Sequence, residues 1–210
     1  MDHYFLITGA PGSGKTALLP CLRHLGLAAV EEAARQVLAE QRACGGRGTT
    51  EQDPARFTQL MLSRAIKHHR EHRGREGPVL FDRGLPDVLG YARLFGLPET
   101  QAAMAAQAHR YNRTAFLAPP MPQIYRQDEE RRMSFEEARA FGEELARGYR
   151  DLGYRLVELP AGTPETRCEF ILQHVLALTG TAQKKEKRGS PAGRPFLTSR
   201  QGLKKVRRSR

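Results

Sequence analysis

Gly9-Ala10-Pro11-Gly12-Ser13-Gly14-Lys15-Thr16 fills every fixed position of the pattern G-x-x-x-x-G-K-[S/T]. A short, apolar, β-prone run, Tyr4-Phe5-Leu6-Ile7-Thr8, leads into it, and a helical stretch follows. A strand, a glycine turn and a helix in that order give the pattern its physical meaning. The glycines let successive backbone N–H groups turn inward around phosphate oxygens, and the helix aims its positive dipole end at the same charge. Lys15 is placed to reach β and γ oxygens, and the Thr16 hydroxyl to ligate Mg2+. Residues 9–16 are therefore the candidate nucleotide-binding loop. Pro20 lies inside the helix expected to start there, where an interior proline costs about 3 kcal/mol, and predicts a kink.

Outward from the loop, comparable short apolar runs recur at Leu27–Val30, Pro78–Asp82, Thr114–Ala118 and Tyr154–Leu159. Helical patterns lie between them. Phe57, Leu60, Met61 and Ala65 share one face, as do Phe135, Ala138, Phe141, Leu145 and Leu152. Ser134 and Glu137 stand at capping-box spacing, Gly153 closes that helix, and Thr163-Pro164 opens a last one that buries Ile171, Val175 and Leu178. Alternating strands and helices predict an α/β protein with a parallel sheet of about five strands and helices on both faces. Arg42 to Asp53 has no apolar period and reads as a mobile loop.

The chain has 210 residues, enough for one substantial core, and a net charge of +11. Almost all of that charge lies at one end. From Thr181 to Arg210 there are eleven Lys/Arg against Glu186 alone, so the pI of about 10.1 describes the tail, not the body. We expect a folded domain over 1–180 and a basic, disordered tail over 181–210, whose few apolar residues cannot offset the entropy of ordering. Cys21, Cys44 and Cys168 are too few and too scattered for a disulfide framework or a zinc site, and fit a reducing, cytoplasmic compartment. The first apolar run is too short for a signal peptide, and no run of 18 apolar residues follows.

Val79-Leu80-Phe81-Asp82-Arg83-Gly84 puts an acid at the C-terminal end of a hydrophobic strand, where ligands bind in open α/β sheets. Asp82 is the candidate either to hold Mg2+ or to take a proton from an acceptor hydroxyl. Arg83 can clamp an anionic substrate or stabilise the transferring phosphoryl group, with a plain surface ion pair as the competing reading. Asp87 is either a substrate contact or a first-turn acid of the helix after Pro86. Glu32 and Arg35, in Glu31-Glu32-Ala33-Ala34-Arg35, open onto the same rim and are candidates for an acceptor hydroxyl and an acidic group, unless they form an exposed pair at helical spacing. The charged run Arg126 to Arg132 can close over the triphosphate and bring arginines to the γ-phosphate, or remain a solvated stretch. Ala161-Gly162-Thr163 can wrap a base or simply turn the chain.

Taken together, GAPGSGKT, EEAAR at 31–35, FDRGLPD at 81–87, FLAPP at 116–120, and YRQDEERR followed by SFEEA at 125–138 resemble a small P-loop family of the NadR type. Its members are grouped under ATPase or AAA-domain names and are related to the ribosylnicotinamide kinase domain of NadR. The resemblance spans about Tyr4 to Leu178. It implies a P-loop NTPase of the nucleoside- or nucleotide-kinase-like kind, with strand order 2-3-1-4-5 and a lid carrying Arg131 and Arg132. A motor ATPase is a poor match, because the strand ends Asp-Arg where Asp-Glu is needed.

The function expected is transfer of the ATP γ-phosphoryl group to a small-molecule acceptor, with Mg2+ as cofactor. Lys15, Asp82, Arg131 and Arg132 are the catalytic candidates, Thr16 and Asp82 the metal ligands, and Glu32, Arg35, Arg83 and Asp87 the acceptor-binding set. The alternative is an ATP- or GTP-dependent switch, or slow NTPase, that binds a partner; it leaves Glu32 and Arg35 without work. The tail over 181–210 can attract a weak anionic partner, nucleic acid or a membrane surface, with a solvated, functionless extension as the competing reading.

Overall fold

β1 (Tyr4–Gly9) is buried along its whole length, and alternate side chains of this strand feed two separate cores. In a computed structural model, which describes residues 2–125 and 133–189 (the side chains of 181–189 excepted), β1 is central in a five-stranded parallel sheet. The other strands are β2 (Ala28–Val30), β3 (Val79–Asp82), β4 (Thr114–Ala118) and β5 (Arg155–Glu158), and the order is β2-β3-β1-β4-β5. Parallel pairing requires a crossover between strands. The helices that supply those crossovers are α1 (Leu18–His24), α2 (Ala33–Ala43), α3 (Pro54–Glu71), α4 (Leu85–Leu94), α5 (Thr100–Ala108) and α6 (Phe135–Asp151), and α7 (Pro164–Gly189) follows the last strand.

One face of the sheet carries Tyr4, Leu6, Val79, Phe81 and Ala115, covered by Val37 of α2, Phe57 and Met61 of α3, Val88 of α4, Ala106 of α5 and Tyr149 of α6. The opposite face carries Phe5, Ile7, Leu80, Phe116 and Ala118, covered by Leu18 and Leu22 of α1 and by Ile171 and Val175 of α7. All five expected strands are present, and helices cover both faces as the sequence predicts.

Three local features differ from expectation or sharpen it. α1 does not start at the phosphate loop and kink; it starts late. Pro20 has no N–H to give the Thr16 carbonyl, and the turn before α1 closes through tighter bonds, Leu18 N to Lys15 O at 2.9 Å and Leu19 N to Thr16 O at 3.3 Å. Pro20 thus becomes the third residue of α1, where no intrahelical donor is required. The glycine-rich segment after α2 is folded back: Gly48 N donates to Gln41 Oε1 at 3.0 Å, Asp53 N to Thr49 O at 3.2 Å, and Thr49 is buried. Finally, α7 is continuous to Gly189, past residue 180, where composition alone places the end of the domain. The capping box at the head of α6 is formed as spaced, with Ser134 N donating to Glu137 Oε2 at 2.7 Å and Glu137 N to Ser134 Oγ at 3.2 Å.

Candidate active site

The sheet register decides which side chains meet. β1 pairs with β3 so that Ile7 stands level with Asp82, and the chain leaves β1 at Gly9 into the phosphate loop. Gly9 has φ 133°, and a Cβ there would lie 2.1 Å from Ala118 O on β4, so only glycine lets the loop leave the sheet at this point. Gly12 and Gly14, at φ 76° and 78°, turn the loop back on itself.

Lys15 lies across the loop. Its Nζ donates to Gly9 O at 3.1 Å, Ala10 O at 2.8 Å and Ser13 Oγ at 3.1 Å. Burial, reinforced by Arg83, pushes this ammonium down to about 7, against the pull of Asp82, Glu32 and Asp87. Thr16 Oγ1 donates to Asp82 Oδ2 at 3.1 Å. The other carboxylate oxygen, Asp82 Oδ1, is buried without a hydrogen-bond partner. Burial, and then Glu32, push the Asp82 carboxyl up to about 6, opposed by Lys15 and Arg83. A buried oxygen atom without a donor, beside a hydroxyl at the head of the phosphate loop, is a pair of hard oxygen ligands of the sort Mg2+ takes.

Arg83 follows Asp82 in a left-handed conformation, φ 64°, which costs a non-glycine residue about 1–2 kcal/mol. Two buried charge-assisted bonds more than offset that: Nε to Glu32 Oε1 at 2.8 Å and Nη1 to Asp87 Oδ1 at 2.9 Å. Glu32, which precedes α2, is thereby held low. Burial pushes its carboxyl up, but Arg83, Lys15 and Arg35 together outweigh burial. Arg35 Nε stands 3.3 Å from Glu32 Oε2, and its side chain is 42% exposed, so it can swing towards a ligand.

Asp87 has a different place from the one expected of a substrate contact. It is buried and accepts four bonds: Thr8 Oγ1 at 2.6 Å, Arg83 Nη1 at 2.9 Å, Gly84 N at 2.9 Å and Tyr149 Oη at 2.6 Å. With its acceptor capacity used by β1, α4 and α6, it orients Arg83 and is not in contact with the cavity. Arg131 and Arg132 lie outside the described residues. The two ends of that segment are tied together by Tyr125 Oη donating to Met133 O at 2.5 Å.

A single cavity of about 400 Å3 joins these groups. At one end stand Gly12, Gly14, Lys15 and Thr16; at the other Glu32, Arg35 and Arg83; Leu38, Phe57, Tyr91 and Phe95 form an apolar wall, and Thr50 and Glu51 a rim. The sequence reading missed that wall. Tyr91 and Phe95 share a helical face of α4, with ring centroids 6.1 Å apart, and Phe57 meets both edge-on, at 6.0 and 6.4 Å. In one dimension they read as ordinary core positions.

A family model described as AAA domain matches residues 4–167. The chain belongs to this family. Among solved structures, NadR in complex with NR is 25% identical with a TM-score of 0.64, the match covering 85% of this chain and 51% of NadR. The chain therefore spans about half the length of NadR. Shikimate kinase from Acinetobacter baumannii, in complex with shikimate, is 16% identical with a TM-score of 0.53, over 83% of this chain and 93% of that one. Deoxyadenosine kinase from M. mycoides is 12% identical with a TM-score of 0.57, over 83% and 99%. No curated protein matches the chain. The fold of this NadR-like AAA-domain protein is that of a small P-loop kinase, in the strand order the family resemblance implied. Among the described residues no helix is long and apolar enough to cross a membrane.

Proposed function

We propose that this protein is an ATP-dependent phosphotransferase whose acceptor is a small molecule carrying a hydroxyl and a flat or apolar part. The observation that carries this reading is the single cavity joining the phosphate loop to Glu32, Arg35 and Arg83 under an aromatic wall. Its volume suits a small ligand beside a triphosphate. A nucleotide switch needs the loop and the Thr16–Asp82 pair, but has no use for a second chamber lined by paired ions and three aromatic rings.

In this assignment the backbone of residues 9–16 and Lys15 hold the β and γ phosphates. Thr16 and Asp82 would hold Mg2+, which supplies positive charge to the phosphate oxygens when bound. Asp82 is given to the metal and not to proton transfer, because it bonds Thr16 and is absent from the cavity wall. Glu32, a cavity-facing carboxylate held ionised by Arg83, accepts from the acceptor hydroxyl and aims its oxygen at the γ-phosphorus. As that O–P bond forms, the hydroxyl proton passes to the Glu32 carboxylate, the bond from the γ-phosphorus to the bridging oxygen breaks, and ADP leaves carrying that oxygen. Arg35 and Arg83 neutralise charge at the acceptor end, and Asp87 fixes Arg83 from behind. Arg131 and Arg132 are assigned to the γ-phosphate on the strength of the family resemblance. The folded unit is assigned to residues 1–180. The tail over 181–210 is assigned weak attraction to an anionic polymer or surface, and the protein to the cytoplasm.

The test is a transfer assay. Labelled ATP is offered with a panel of nucleosides, ribosylnicotinamide, sugars and amino alcohols, and label is expected in an acceptor. Release of free phosphate alone across the panel would refute transfer. Lys15→Ala is expected to abolish ATP binding; retained binding would remove the nucleotide site itself.

A further inference from the structure

Arg167, at the end of the first turn of α7, is a buried cation that the assignment above does not use. It is 2% exposed and reaches the phosphate loop, where Nη1 donates to Ser13 O at 3.0 Å and to Met121 Sδ at 3.6 Å. Nε and Nη2 are buried with no hydrogen-bond partner, and no ion pair to a carboxylate is formed by Arg167 among the described residues. The guanidinium lies against the loop backbone itself, since a Cβ on Gly14 would stand 3.3 Å from Nη1. Burial drives even this strongly basic group downward.

For the fold alone this is a poor bargain. One charge-assisted bond to a carbonyl returns less than the desolvation of an unpaired guanidinium takes away, and a neutral side chain could donate the same bond. The loss makes sense only if the missing counter-charge arrives from outside. The group next to Arg167 is the loop whose Ser13 Oγ also accepts from Lys15 Nζ, so two buried cations hold the same residue, one at its hydroxyl and one at its carbonyl.

We infer that Arg167 is a positioning residue for the nucleotide: it fixes Ser13, and through it Lys15, and adds a second buried positive charge to the loop that receives the triphosphate. The ligand class is a polyphosphate chain, and the inference rests on the proposed nucleotide site. In a low-dielectric setting a unit charge close to the loop changes polyphosphate affinity by about tenfold.

The experiment compares the wild type, Lys15→Ala, Arg167→Met and Arg167→Lys as full chains. It measures ligand-free thermal unfolding, and the affinity for a fluorescent ATP analogue and for inorganic tripolyphosphate as its competitor. Arg167→Met is expected to unfold at the same temperature as wild type or higher, because an unpaired buried charge is gone, and yet to bind both ATP analogue and tripolyphosphate about tenfold more weakly. Arg167→Lys, which keeps the charge, is expected to retain most of the affinity. Three results would overturn the inference: a lower unfolding temperature with unchanged affinity, a loss confined to the ATP analogue while tripolyphosphate binds normally, or equal losses in Arg167→Met and Arg167→Lys. If Arg167→Met does not fold, the Arg167→Lys affinities decide. Failure of the nucleotide reading itself is separate: it appears as no binding by the wild type, or as full binding by Lys15→Ala.

Discussion

Ionising Asp82 is harder than ionising an exposed aspartate, because its carboxyl is buried beside Glu32 and one oxygen has no donor. The consequence for stability has a definite sign. The folded-state value is raised from 3.8 to about 6, so the folded protein holds this proton more tightly than the unfolded chain does. The stability contributed by the group is therefore complete below pH 3.8 and is lost as pH rises through about 6. Asp82→Asn removes the charge and can keep the bond from Thr16. At pH 8 the variant is expected to melt higher than wild type, by about 2–4 °C for each kcal/mol relieved, with the difference shrinking towards pH 4. Phosphoryl transfer is expected to move the other way, falling by two orders of magnitude or more, since a neutral amide cannot stand in for a carboxylate at Mg2+. Thermal melts at several pH values and steady-state turnover check both halves. A variant less stable at pH 8, or fully active, would show that Asp82 is a structural acid and not a metal ligand.

Between elements, α6 presses directly on the loop. A Cβ on Gly142 would lie 3.1 Å from Ala10 N and Cα and 2.9 Å from Ala10 Cβ, so α6 touches the phosphate loop where only hydrogen fits. Helix propensity favours Gly142→Ala by about 1 kcal/mol, but overpacking against backbone typically costs 1–3 kcal/mol, and here the backbone is the binding loop. Lower stability and ATP binding weakened more than tenfold are expected. Gly148 on the same helix is the control, because a Cβ there would meet only Arg93 Nη1 at 3.5 Å; Gly148→Ala should bind ATP normally and be no less stable. Equal binding by the two variants would separate α6 from the loop. Contacts of this kind mark the limit of what the sequence discloses. The strands, the capping box and residues 9–16 are legible because their signals are local: apolar runs, cap spacing and a fixed motif. The late start of α1 follows from Pro20 but needs its position counted from a helix start that the sequence does not mark. The sequence does not decide between a substrate contact and a helix acid at Asp87, since its partners Thr8 and Tyr149 are 79 and 62 residues away. Tyr91, Phe95 and Arg167 gave no signal, because an apolar helical face reads the same whether it closes a core or a cavity, and a lone arginine reads as solvated.

Across the whole molecule, charge and core are separated along the chain. The body over 1–180 is close to neutral while 181–210 carries a net +10, so any long-range attraction for anions that depends on net charge belongs to the tail. The described members of the two cores all precede residue 181. Among the described side chains of α7 the last fully buried one is Val175, with Leu178 packed against the same cluster. Deleting 181–210 is therefore expected to leave the unfolding temperature and ATP turnover close to wild type, even though α7 runs on to Gly189. It is expected to abolish retention on heparin at low salt. With the tail present, retention should fall steeply as salt rises, because each phosphate or sulfate neutralised by Lys or Arg releases a counterion. Measured as log affinity against log salt on duplex DNA, the slope should be about −0.9 for each phosphate contacted and should collapse to near zero without the tail. Unchanged retention by the truncated chain would move anion binding onto the folded body. Among the described residues, Lys15, Arg35, Arg83 and Arg167 line or brace the cavity proposed for the triphosphate, so ATP would then compete with heparin.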